Sequence, residues 1–537
     1  MKKLSRRSFL KAMTYGGVSI GLGSGLFRVL SKRDTSGISG KIVGANWKTG
    51  HLLRRNIQVK PNRLEKISTV IIGGGVSGLS AAWWLKRNNY DDFVLLEMEE
   101  SVGGNAISGS NQVSAYPWGA HYVPLAGPEA DYLKLFFEEV GVIKGYANGL
   151  PIYDEFALCS EPAERLFFQG QWRDGLLPQY GVRDEDKRQY GEFFSYVQDM
   201  KNAQGSDGRP AFTIPLERSS RDPKFRELDR ISMAEFMRSK GWHSQYLNWY
   251  VNYCCRDDYG VGLERVSAWA GIHYFASRSA VAVNAEASTV LTWPEGNGYL
   301  VNRLKNLTIE QIRSNTLAYS VETSSSGCVV DCLDTAKELF SRIEARNVIY
   351  AAPRFTANRV IKGYYSPVLP EYSPWMVANI TVSEIPDGVG AALAWDNVNY
   401  YSRSLGYIVA NHQDLTINRK EKVLTYYLPL DELTPEASRV VAYQKSYEDW
   451  LNIIVPDLER FHRGIKNFIQ HVDVWIWGHG MVSPGIGYLW GGARDERLKP
   501  FGNVFFANSD MSGLSIFEEA QYRGVEAAKS VLTRGQS

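Results

Sequence analysis

The stretch VIIGGGVSGLSAAWWLKRNNYDDFVLLE, residues 70–97, decides the fold of this chain. Residues 70–72 form an apolar run typical of a buried parallel strand, and apolar residues at helical spacing follow the glycines. A second apolar run, residues 93–96, ends at Glu97, where a carboxylate can accept hydrogen bonds from both ribose hydroxyls. Strand, helix, strand and acid in this order predict a βαβ unit that binds a dinucleotide.

The glycines of this stretch suit the turn between strand and helix. Gly73 permits the tight turn, Gly75 lets the backbone approach a diphosphate without a Cβ in the way, and Gly78 lets the helix lie close on the strand. The first N–H groups of a helix have no partner inside the helix, so its N-terminus favours an anion. The spacing therefore predicts a diphosphate at the start of the helix.

A second glycine pair, in ESVGGNA at residues 100–106, follows soon after Glu97. Together with the βαβ unit it resembles the opening of the flavin amine oxidase and protoporphyrinogen oxidase/phytoene desaturase superfamily, which continues into Gly-Gly-Arg. Gly103 and Gly104 match the glycines, whereas Asn105 stands at the arginine position. Because this loop contacts the FAD phosphates in that family, the resemblance implies FAD as the cofactor and these three residues as part of its site.

Residues 115–129, AYPWGAHYVPLAGPE, resemble the family strand that runs toward the flavin and ends in Gly-Gly/Ala-x-Tyr. Gly119, Ala120 and Tyr122 match that turn. The resemblance implies that Gly119 and Ala120 bind the cofactor. It also places His121 beside the isoalloxazine ring, where a catalytic role and a purely structural one are both open.

Residues 503–528, NVFFANSDMSGLSIFEEAQYRGVEAA, resemble the closing motif of the same family. Asp510 matches the acid that binds the ribityl chain, and Ser509 stands where the family usually has glycine. Gly524 belongs to a small-residue helix that packs on the first βαβ unit. By the same resemblance, Leu317 in NTLAYSV places its backbone against the adenine.

The resemblance implies an α/β fold in which a Rossmann-like FAD-binding domain is interleaved with an α+β substrate domain, as in amine oxidases. The predicted division is a signal at 1–33, a polar leader at 34–65, the FAD-binding domain at 66–125, 286–360 and 470–537, and the substrate domain at 126–285 and 361–469.

The composition of the 537 residues excludes several classes of protein. The net charge is +2 and basic residues are scattered after the N-terminus, so no nucleic-acid partner is expected. The five cysteines lack zinc-type spacing, and no metal site is expected. With 15 Trp and 30 Tyr the chain can build a site for a flat ligand or a cation.

The N-terminus, MKKLSRRSFLKAMTYGGVSIGLGSGLF, predicts export. Residues 5–11 match the twin-arginine signal, and residues 12–27 are too short and too mildly apolar for a stable membrane span. The predicted partner is the twin-arginine translocase, which carries proteins already folded around a cofactor. We expect a periplasmic or otherwise extracytoplasmic location, with retention at the membrane by an uncleaved signal as the alternative.

Three catalytic candidates follow from the resemblance in addition to His121. Trp477, in VWIWGHGMVSPGIG, matches a family tryptophan that forms part of an aromatic sandwich at the flavin. His479 follows it, although this alternation also fits one face of an ordinary strand. Asn379, in SPWMVANITVSE, stands where many flavin amine oxidases carry a lysine that assists the reaction with oxygen.

Two adjacent carboxylates, Asp257 and Asp258, precede an aromatic segment that resembles a helix. They could hold an amine, and Asp is also favoured at helix caps and turns. Sequence alone leaves the two alternatives open.

These observations predict an exported FAD-dependent oxidoreductase that acts on a small molecule, an amine or polyamine, by hydride transfer to flavin N5. The alternatives are an FAD-dependent desaturase or isomerase of a hydrophobic substrate, and a non-catalytic flavin-binding protein. The electron acceptor stays open between oxygen, a quinone and another carrier, and Asn379 favours an acceptor other than oxygen.

Overall fold

The computed structural model of the protein describes residues 37–55, 57–366, 369–414 and 419–534. The predicted twin-arginine signal lies outside the described residues. None of the helices in the described ranges is both long and apolar enough to cross a membrane.

The strands and helices are as follows in chain order. The strands are β1 Ser39–Val43, β2 Arg63–Lys66, β3 Thr69–Ile72, β4 Phe93–Leu96, β5 Ser108–Ser110, β6 Ala115–Pro117, β7 Tyr122–Pro124, β8 Ile143–Ala147, β9 Leu150–Tyr153, β10 Glu164–Phe168, β11 Gln171–Asp174, β12 Val290–Thr292, β13 Ile312–Arg313, β14 Thr316–Ser324, β15 Gly327–Asp334, β16 Leu339–Ala345, β17 Asn347–Tyr350, β18 Glu371–Val382, β19 Asp396–Asn399, β20 Tyr407–Val409, β21 Lys422–Pro429, β22 Ile469–Ser483 and β23 Val504–Phe506. The helices are α1 Trp47–Gly50, α2 Val76–Arg87, α3 Asp131–Glu139, α4 Asp184–Asn202, α5 Pro223–Arg226, α6 Met233–Ser239, α7 Gln245–Tyr259, α8 Ala268–Ala276, α9 Gly298–Thr308, α10 Arg354–Val360, α11 Pro435–Gln444, α12 Tyr447–Phe461, α13 Ala493–Leu498 and α14 Phe517–Arg534. Short 3₁₀ helices cover His51–Arg54, Gly104–Ala106, Leu216–Arg218, Glu227–Arg230, Ile309–Gln311, Ile465–Phe468 and Ser509–Met511.

A five-stranded parallel sheet forms the nucleotide-binding part of the fold, in the order β13-β4-β3-β17-β23. All four residues of β3 and of β4 are buried, since the sheet is covered on both faces. Helix α2 connects β3 to β4 and completes the βαβ unit. The predicted α/β fold with its Rossmann-like unit is confirmed.

The last helix, α14, packs against α2 and closes this part of the fold. Gly524 makes the contact possible, because a Cβ at that position would lie 2.1 Å from the Ser77 carbonyl oxygen. The small residue predicted in this helix therefore marks a close approach of two helices.

An eight-stranded mixed sheet forms the second part, in the order β1-β22-β18-β21-β20-β19-β10-β11. Helices α4, α6, α7 and α8 share the large core cluster next to it. Strand β22 lies second from one edge, between β1 and β18. The structure therefore differs from the predicted boundary at residue 470, since 470–483 belong to the second sheet by hydrogen bonding and join the nucleotide-binding part only afterwards.

Residues 37–66 also differ from the polar leader that the sequence suggested. Strand β1 extends the eight-stranded sheet by pairing in parallel with β22, and β2 joins the four-stranded sheet β14-β15-β16-β2. The hydropathy pattern does not predict these two strands, because they lie at sheet edges and most of their side chains are exposed or half-buried. The segment between them, residues 44–62, connects the two parts of the molecule.

Candidate functional site

The first glycine loop leaves the carboxyl end of β3 with the backbone that the sequence predicted. Gly73 has a φ of +103°, in the region that favours glycine, and a Cβ on Gly78 would lie 1.9 Å from the Gly73 carbonyl oxygen. Around Gly75 the space is open, since the nearest atom to a Cβ there would be Gly104 Cα at 3.9 Å. The turn is tightly packed where it meets the helix and open where a ligand would approach.

The second glycine loop lies directly on the first. The Gly103 N–H donates to the Gly74 carbonyl at 2.8 Å, and Gly103 and Gly75 form a parallel bridge. Asn105 then ties this loop to the second sheet, because its side-chain amide donates to the Gly480 carbonyl. Its own carbonyl accepts the Ala120 N–H at 3.0 Å. Asn105 thus links the second glycine loop to Gly480 of β22 and to Ala120.

Glu97 follows β4 at the same edge of the sheet. Its Oε2 accepts the Gly74 N–H at 2.7 Å and its Oε1 accepts the Glu99 N–H at 2.8 Å, which leaves one lone pair on each oxygen. Burial raises the pKa of this carboxyl to about 7, against the two backbone donors that favour the ionised form. Leu317 lies beside it on β14, next to Thr316, whose N–H donates to the Glu97 carbonyl at 2.7 Å.

Asp510 lies after β23, in the 3₁₀ turn that begins at Ser509. Its Oδ2 accepts the Arg354 N–H at 2.7 Å and the Tyr372 hydroxyl at 2.5 Å. Its Oδ1 is buried and has no hydrogen-bond partner within the described part of the chain. A buried carboxylate oxygen without a donor is costly, so this atom favours a ligand hydroxyl.

A cavity of about 840 Å³ lies beyond Asn105, between the eight-stranded sheet, α7 and the N-terminus of α14. This volume counts all the space between the lining atoms, including the part that is open to solvent. Five residues predicted from the sequence line it together: Asn105, Gly119, Ala120, His121 and Trp477. The remaining cofactor candidates lie along the carboxyl edge of the parallel sheet, outside the cavity wall.

Aromatic rings from three strands form one wall of the cavity. Trp375 on β18, Tyr427 on β21 and Trp477 on β22 all face it. The indole N–H of Trp477 donates to the Trp118 carbonyl at 2.6 Å, which fixes the ring plane. The Tyr427 hydroxyl donates to the Gly119 carbonyl at 2.9 Å. These rings present fixed π faces to a ligand.

His121 contributes a further flat surface. Its ring stacks on Tyr427 with 4.6 Å between centroids and an interplanar angle of 29°. Burial lowers the pKa of this imidazole to about 4, so the ring is neutral at neutral pH. A neutral, stacked imidazole shapes the cavity and does not repel a cation.

Carboxylates at the end of α7 give the cavity a negative side. Asp258 pairs with Arg278, whose Nη2 lies 2.9 and 3.0 Å from the two carboxylate oxygens. Asp257 receives the Tyr122 hydroxyl at 3.2 Å and forms no ion pair with any described residue. Burial and the neighbouring Asp258 raise the pKa of Asp257 to about 7. Both aspartates thus lie in the last turn of α7 and line the cavity, and the N-cap of the following helix is Ser267.

Glu518, in the first turn of α14, adds a second acid to the cavity wall. It is buried, its Oε1 has no hydrogen-bond partner in the described ranges, and burial raises its pKa to about 7. Arg278 is the one cation among the described residues that line the cavity, and Asp258 already pairs with it. The cavity therefore has spare negative charge above neutral pH.

His479, predicted as catalytic, does not line the cavity. Ser373 of β18 pairs with Met481 of β22 and Trp375 pairs with Trp477, so three residues of β22 stand opposite Pro374 alone. The bulge turns His479 away from the face shared by Trp477 and Met481, and its ring stacks on Phe355 at 4.3 Å. Sequence alternation could not reveal this irregularity.

Asn379 is also absent from the cavity wall. It lies on β18 two residues beyond Val377, the last cavity residue of that strand. Its amide donates to the Pro117 carbonyl at 2.9 Å and accepts the Thr425 hydroxyl at 2.7 Å, and the side chain is buried. Both ends of the amide are thus satisfied inside the protein, and its effect on the reaction with oxygen stays a prediction.

Sequence analysis did not single out several of the lining residues. They are Pro124, Arg278, Asn297, Trp375, Val377, Tyr427, Gly480, Ser515, Ile516, Phe517 and Glu518. Of these residues, only Arg278 and Glu518 have a local signal in the sequence, because each is a charged residue next to an apolar segment. The others come together only through the pairing of distant strands.

The residues present fit FAD. The open space at Gly75 suits a diphosphate, Glu97 keeps lone pairs for a ribose, and Asp510 Oδ1 lacks the donor that a ribityl hydroxyl supplies. FAD is therefore the cofactor that we assign to this edge of the sheet and to the adjoining side of the cavity.

Comparison with known proteins supports this assignment. Residues 71–140 match the model of the NAD(P)-binding Rossmann-like domain. Oxidoreductase PigB of Serratia sp. (strain ATCC 39006) is 22% identical over 294 residues, which cover 50% of this chain and 41% of PigB. Flavin-containing amine oxidase B of Cavia porcellus is 23% identical over 330 residues, which cover 60% of this chain and 56% of the relative.

Among solved structures, putrescine oxidase bound to putrescine has a similar fold. Its TM-score is 0.63 at 16% identity, and the alignment covers 88% of this chain and 100% of the oxidase. This likeness shows the amine-oxidase-like architecture. The chain spans only about half the length of the curated relatives that it matches.

Proposed function

We propose that the protein is an exported FAD-dependent oxidoreductase that oxidises an amine. The observation that carries the proposal is the cavity itself, where Asp257 forms no ion pair with any described residue and faces the same space as Trp375, Tyr427 and Trp477. An alkylammonium group is attracted by a carboxylate and by π faces alike. A neutral polyene or fatty acyl chain would leave the acids unpaired.

FAD, when bound, would supply the capacity to accept two electrons and one proton, as a hydride, from a C–H bond next to nitrogen. The protein positions that bond. Trp477 and Tyr427 offer the substrate fixed ring faces, and Asp257, which lines the same cavity, attracts the nitrogen. Holding the reactants in one orientation and excluding water are the main contributions that a protein makes to such a step.

Asp257 also suits the proton transfer that amine oxidation needs. An ammonium group must lose a proton before its C–H bond reacts, and a carboxyl with a pKa of about 7 can take up and release protons near neutral pH. The Tyr122 hydroxyl, 3.2 Å from Asp257 Oδ2, keeps the carboxylate oriented toward the cavity.

Anaerobic titration of the purified, FAD-loaded protein tests the proposal. Monoamines, diamines such as putrescine, aromatic amines, polyenes and fatty acids are each added, and bleaching of the flavin absorbance is followed. Bleaching by an amine supports the proposal. Bleaching by polyenes or fatty acids alone, or by none of the panel, contradicts it in favour of a desaturase, an isomerase or a non-catalytic flavoprotein.

The electron acceptor that we propose is a quinone or another carrier. The described residues that line the cavity include no lysine, and Arg278 is neutralised by Asp258. A cation beside the flavin would assist the transfer of charge to oxygen. Stopped-flow mixing of the reduced protein with oxygen or with a soluble quinone tests this, and oxygen reacting as fast as the quinone contradicts it.

Export is proposed from Arg6 and Arg7, which lie outside the described residues. Replacing both by Lys keeps the charge but should leave the folded flavoprotein in the cytoplasm. Lys2→Arg with Lys3→Arg is the matched control, because it alters neighbouring basic residues and keeps the arginine pair. Equal periplasmic accumulation of both variants would contradict the proposed route.

A further inference from the structure

Residues 44–55, which we call the N-terminal strap, connect the two parts of the molecule across the cofactor edge. The strap begins after β1, which is held in the eight-stranded sheet by β22. It then forms α1 and the 3₁₀ helix His51–Arg54. Neither helix buries a side chain fully, so packing inside the strap does not explain its position.

One end of the strap is seated on the residues that follow Glu97. The Asn46 N–H donates to Glu99 Oε1 at 2.8 Å, and the Asn46 side chain caps α1 by accepting the Thr49 N–H at 3.2 Å. Gly50 packs on the Met98 thioether, from which a Cβ at Gly50 would lie 3.6 Å. The strap therefore contacts the ribose-binding end of the predicted cofactor site.

The other end packs against α10, the helix that follows β17. Strand β3 lies between β4 and β17 in the sheet, and the first glycine loop leaves the carboxyl end of β3. The strap contacts the residues after β4 on one side and the helix after β17 on the other. Because β3 lies between these two strands, the strap must pass the carboxyl end of β3. The strap thus runs along the outside of the glycine loop.

The strap belongs to a stretch whose charge is uniformly positive. Residues 37–64 contain six Lys or Arg and no Asp or Glu. The two glycine loops, GGGVSG at residues 73–78 and GGN at residues 103–105, contain no cation. A diphosphate carries two negative charges, so backbone N–H groups alone would leave that charge without a cationic partner.

Arg54 is the last residue of the 3₁₀ helix that packs against α10. Helix α10 begins just after Ala352, whose backbone N would lie 2.9 Å from a Cβ on Gly73, so this end of the strap adjoins the first glycine loop. The His479 ring stacks on Phe355 of α10, and desolvation there, with the cations of Arg439 and Arg54, lowers the pKa of its imidazole. The next residue, Gly480, accepts the hydrogen bond from Asn105, which adjoins Gly104. Arg55 follows this 3₁₀ helix in extended backbone and is not part of it.

We propose that the N-terminal strap forms the outer wall of the dinucleotide site and that Arg54 supplies positive charge to the cofactor diphosphate. The proposal rests on FAD being the cofactor. It makes residues 44–55 a functional segment, although they lie outside both of the predicted domains. It also explains how a site built from two cation-free glycine loops can retain a dianion.

The test compares Arg54→Ala and Arg54→Glu with Arg55→Ala as the matched control in the full-length protein. FAD release is followed by recovery of flavin fluorescence on dilution, at low and high salt. We expect Arg54→Ala to speed release about tenfold and Arg54→Glu to speed it further. Arg55→Ala should stay within about twofold, and the salt dependence of release should be weaker in Arg54→Ala.

Probes that carry only part of the cofactor sharpen the test. ADP, added as a competitor, should bind less tightly to Arg54→Ala, whereas riboflavin, which has no phosphate, should bind equally to all variants. Wild-type protein that binds FAD while Arg54 variants release it at the wild-type rate would overturn the strap proposal and leave the proposed function intact. Wild-type protein that does not bind FAD would overturn both.

Limited proteolysis tests whether bound FAD protects the strap, and it needs no substitution. FAD should slow trypsin cleavage after Lys48, Arg54 and Arg55, while cleavage after Lys337, whose side chain is 76% exposed on the hairpin between β15 and β16, should not change. Equal cleavage of the strap with and without FAD would contradict the proposal even if the Arg54 variants had misfolded.

Discussion

The carboxyl edge of the parallel sheet, which we call the nucleotide-binding edge, differs from the cavity in the atoms that recognise the ligand. At the edge the recognising groups are backbone N–H groups of two glycine loops, with Glu97 and Asp510 as the acids. In the cavity nearly every recognising group is a side chain, contributed by β18, β21, β22, α7 and α14. Backbone recognition needs a short stretch with glycine at fixed positions, whereas side-chain recognition can be assembled from any distant segments.

The largest loss of FAD binding is expected at Gly78, where the close contact between loop and helix leaves no room for a side chain. Gly78→Ala would bring a Cβ to 1.9 Å from the Gly73 carbonyl oxygen, so the loop or the helix must move. We expect the purified variant to be colourless, with FAD affinity reduced more than about a hundredfold. Flavin content and thermal unfolding measure this.

Gly191→Ala is the matched control for Gly78→Ala. Gly191 lies within α4 and has no atom within 4 Å of a built Cβ. The substitution should keep full FAD content and stabilise the helix by up to about 1 kcal/mol. Equal flavin loss in both variants would mean that the edge does not depend on close backbone approach.

Glu97→Ala tests the edge at a side chain. The variant loses the acceptor for the ribose and leaves the Gly74 and Glu99 N–H groups without it, so FAD affinity should fall about ten- to a hundredfold, by roughly 1.5–3 kcal/mol. Fluorescence titration of the apoprotein measures it. Glu100→Ala, an exposed neighbour, should bind FAD like the wild type; a drop there as large as in Glu97→Ala would contradict the assigned role.

Asp257→Asn tests the cavity without touching the edge. FAD content should be unchanged, while the affinity for an amine should fall about tenfold or more, since a charge-assisted contact is lost. In the wild type, amine affinity should rise as the pH passes about 7, where Asp257 ionises, and the variant should lose most of this rise. Asp199→Asn, at an exposed acid, is the control, and an identical pH profile for Asp257→Asn would refute the role.

The effect of Asp257 on stability is expected to be comparable to its effect on amine affinity. Because the pKa of Asp257 is raised from 3.8 to about 7 in the folded protein, the folded state binds more protons than the unfolded state between about pH 4 and 7. The free energy of unfolding therefore falls as the pH rises through this window. Asp257→Asn should remove part of the fall, by roughly 1–3 kcal/mol at pH 8 relative to pH 5. Denaturant unfolding of the two proteins at both pH values checks the sign, and parallel curves would contradict it.

The contrast between edge and cavity also explains what the sequence could reveal. The turn at Gly73, the close approach at Gly78 and the acid at Glu97 lie within one βαβ unit, so their spacing is read directly along the chain. Asp257 and Glu518 meet in the cavity although 260 residues of chain separate their segments, and no local pattern connects them. His479 was misplaced because the bulge opposite Pro374 breaks the alternation of β22.

The edge strands β1 and β2 show a second limit of prediction. An edge strand has one unpaired side and exposed side chains, so its sequence lacks the apolar run that marked β3 and β4. The sequence pattern therefore predicts a polar leader where the N-terminal strap lies. Its contacts with Met98 and Glu99 are visible only in the folded molecule.

The packing of Gly524 on Ser77 brings together segments that are almost a whole chain length apart in synthesis. While the ribosome is still translating the middle of the protein, the first βαβ unit has neither β23 beside β17 nor α14 over its helix. Its glycine loop is then an incomplete binding site, because Asp510 has not yet been synthesised. Tight flavin binding is therefore expected only after residues 504–534 have been synthesised, and a nascent chain stalled before residue 504 should bind FAD more weakly than the full chain.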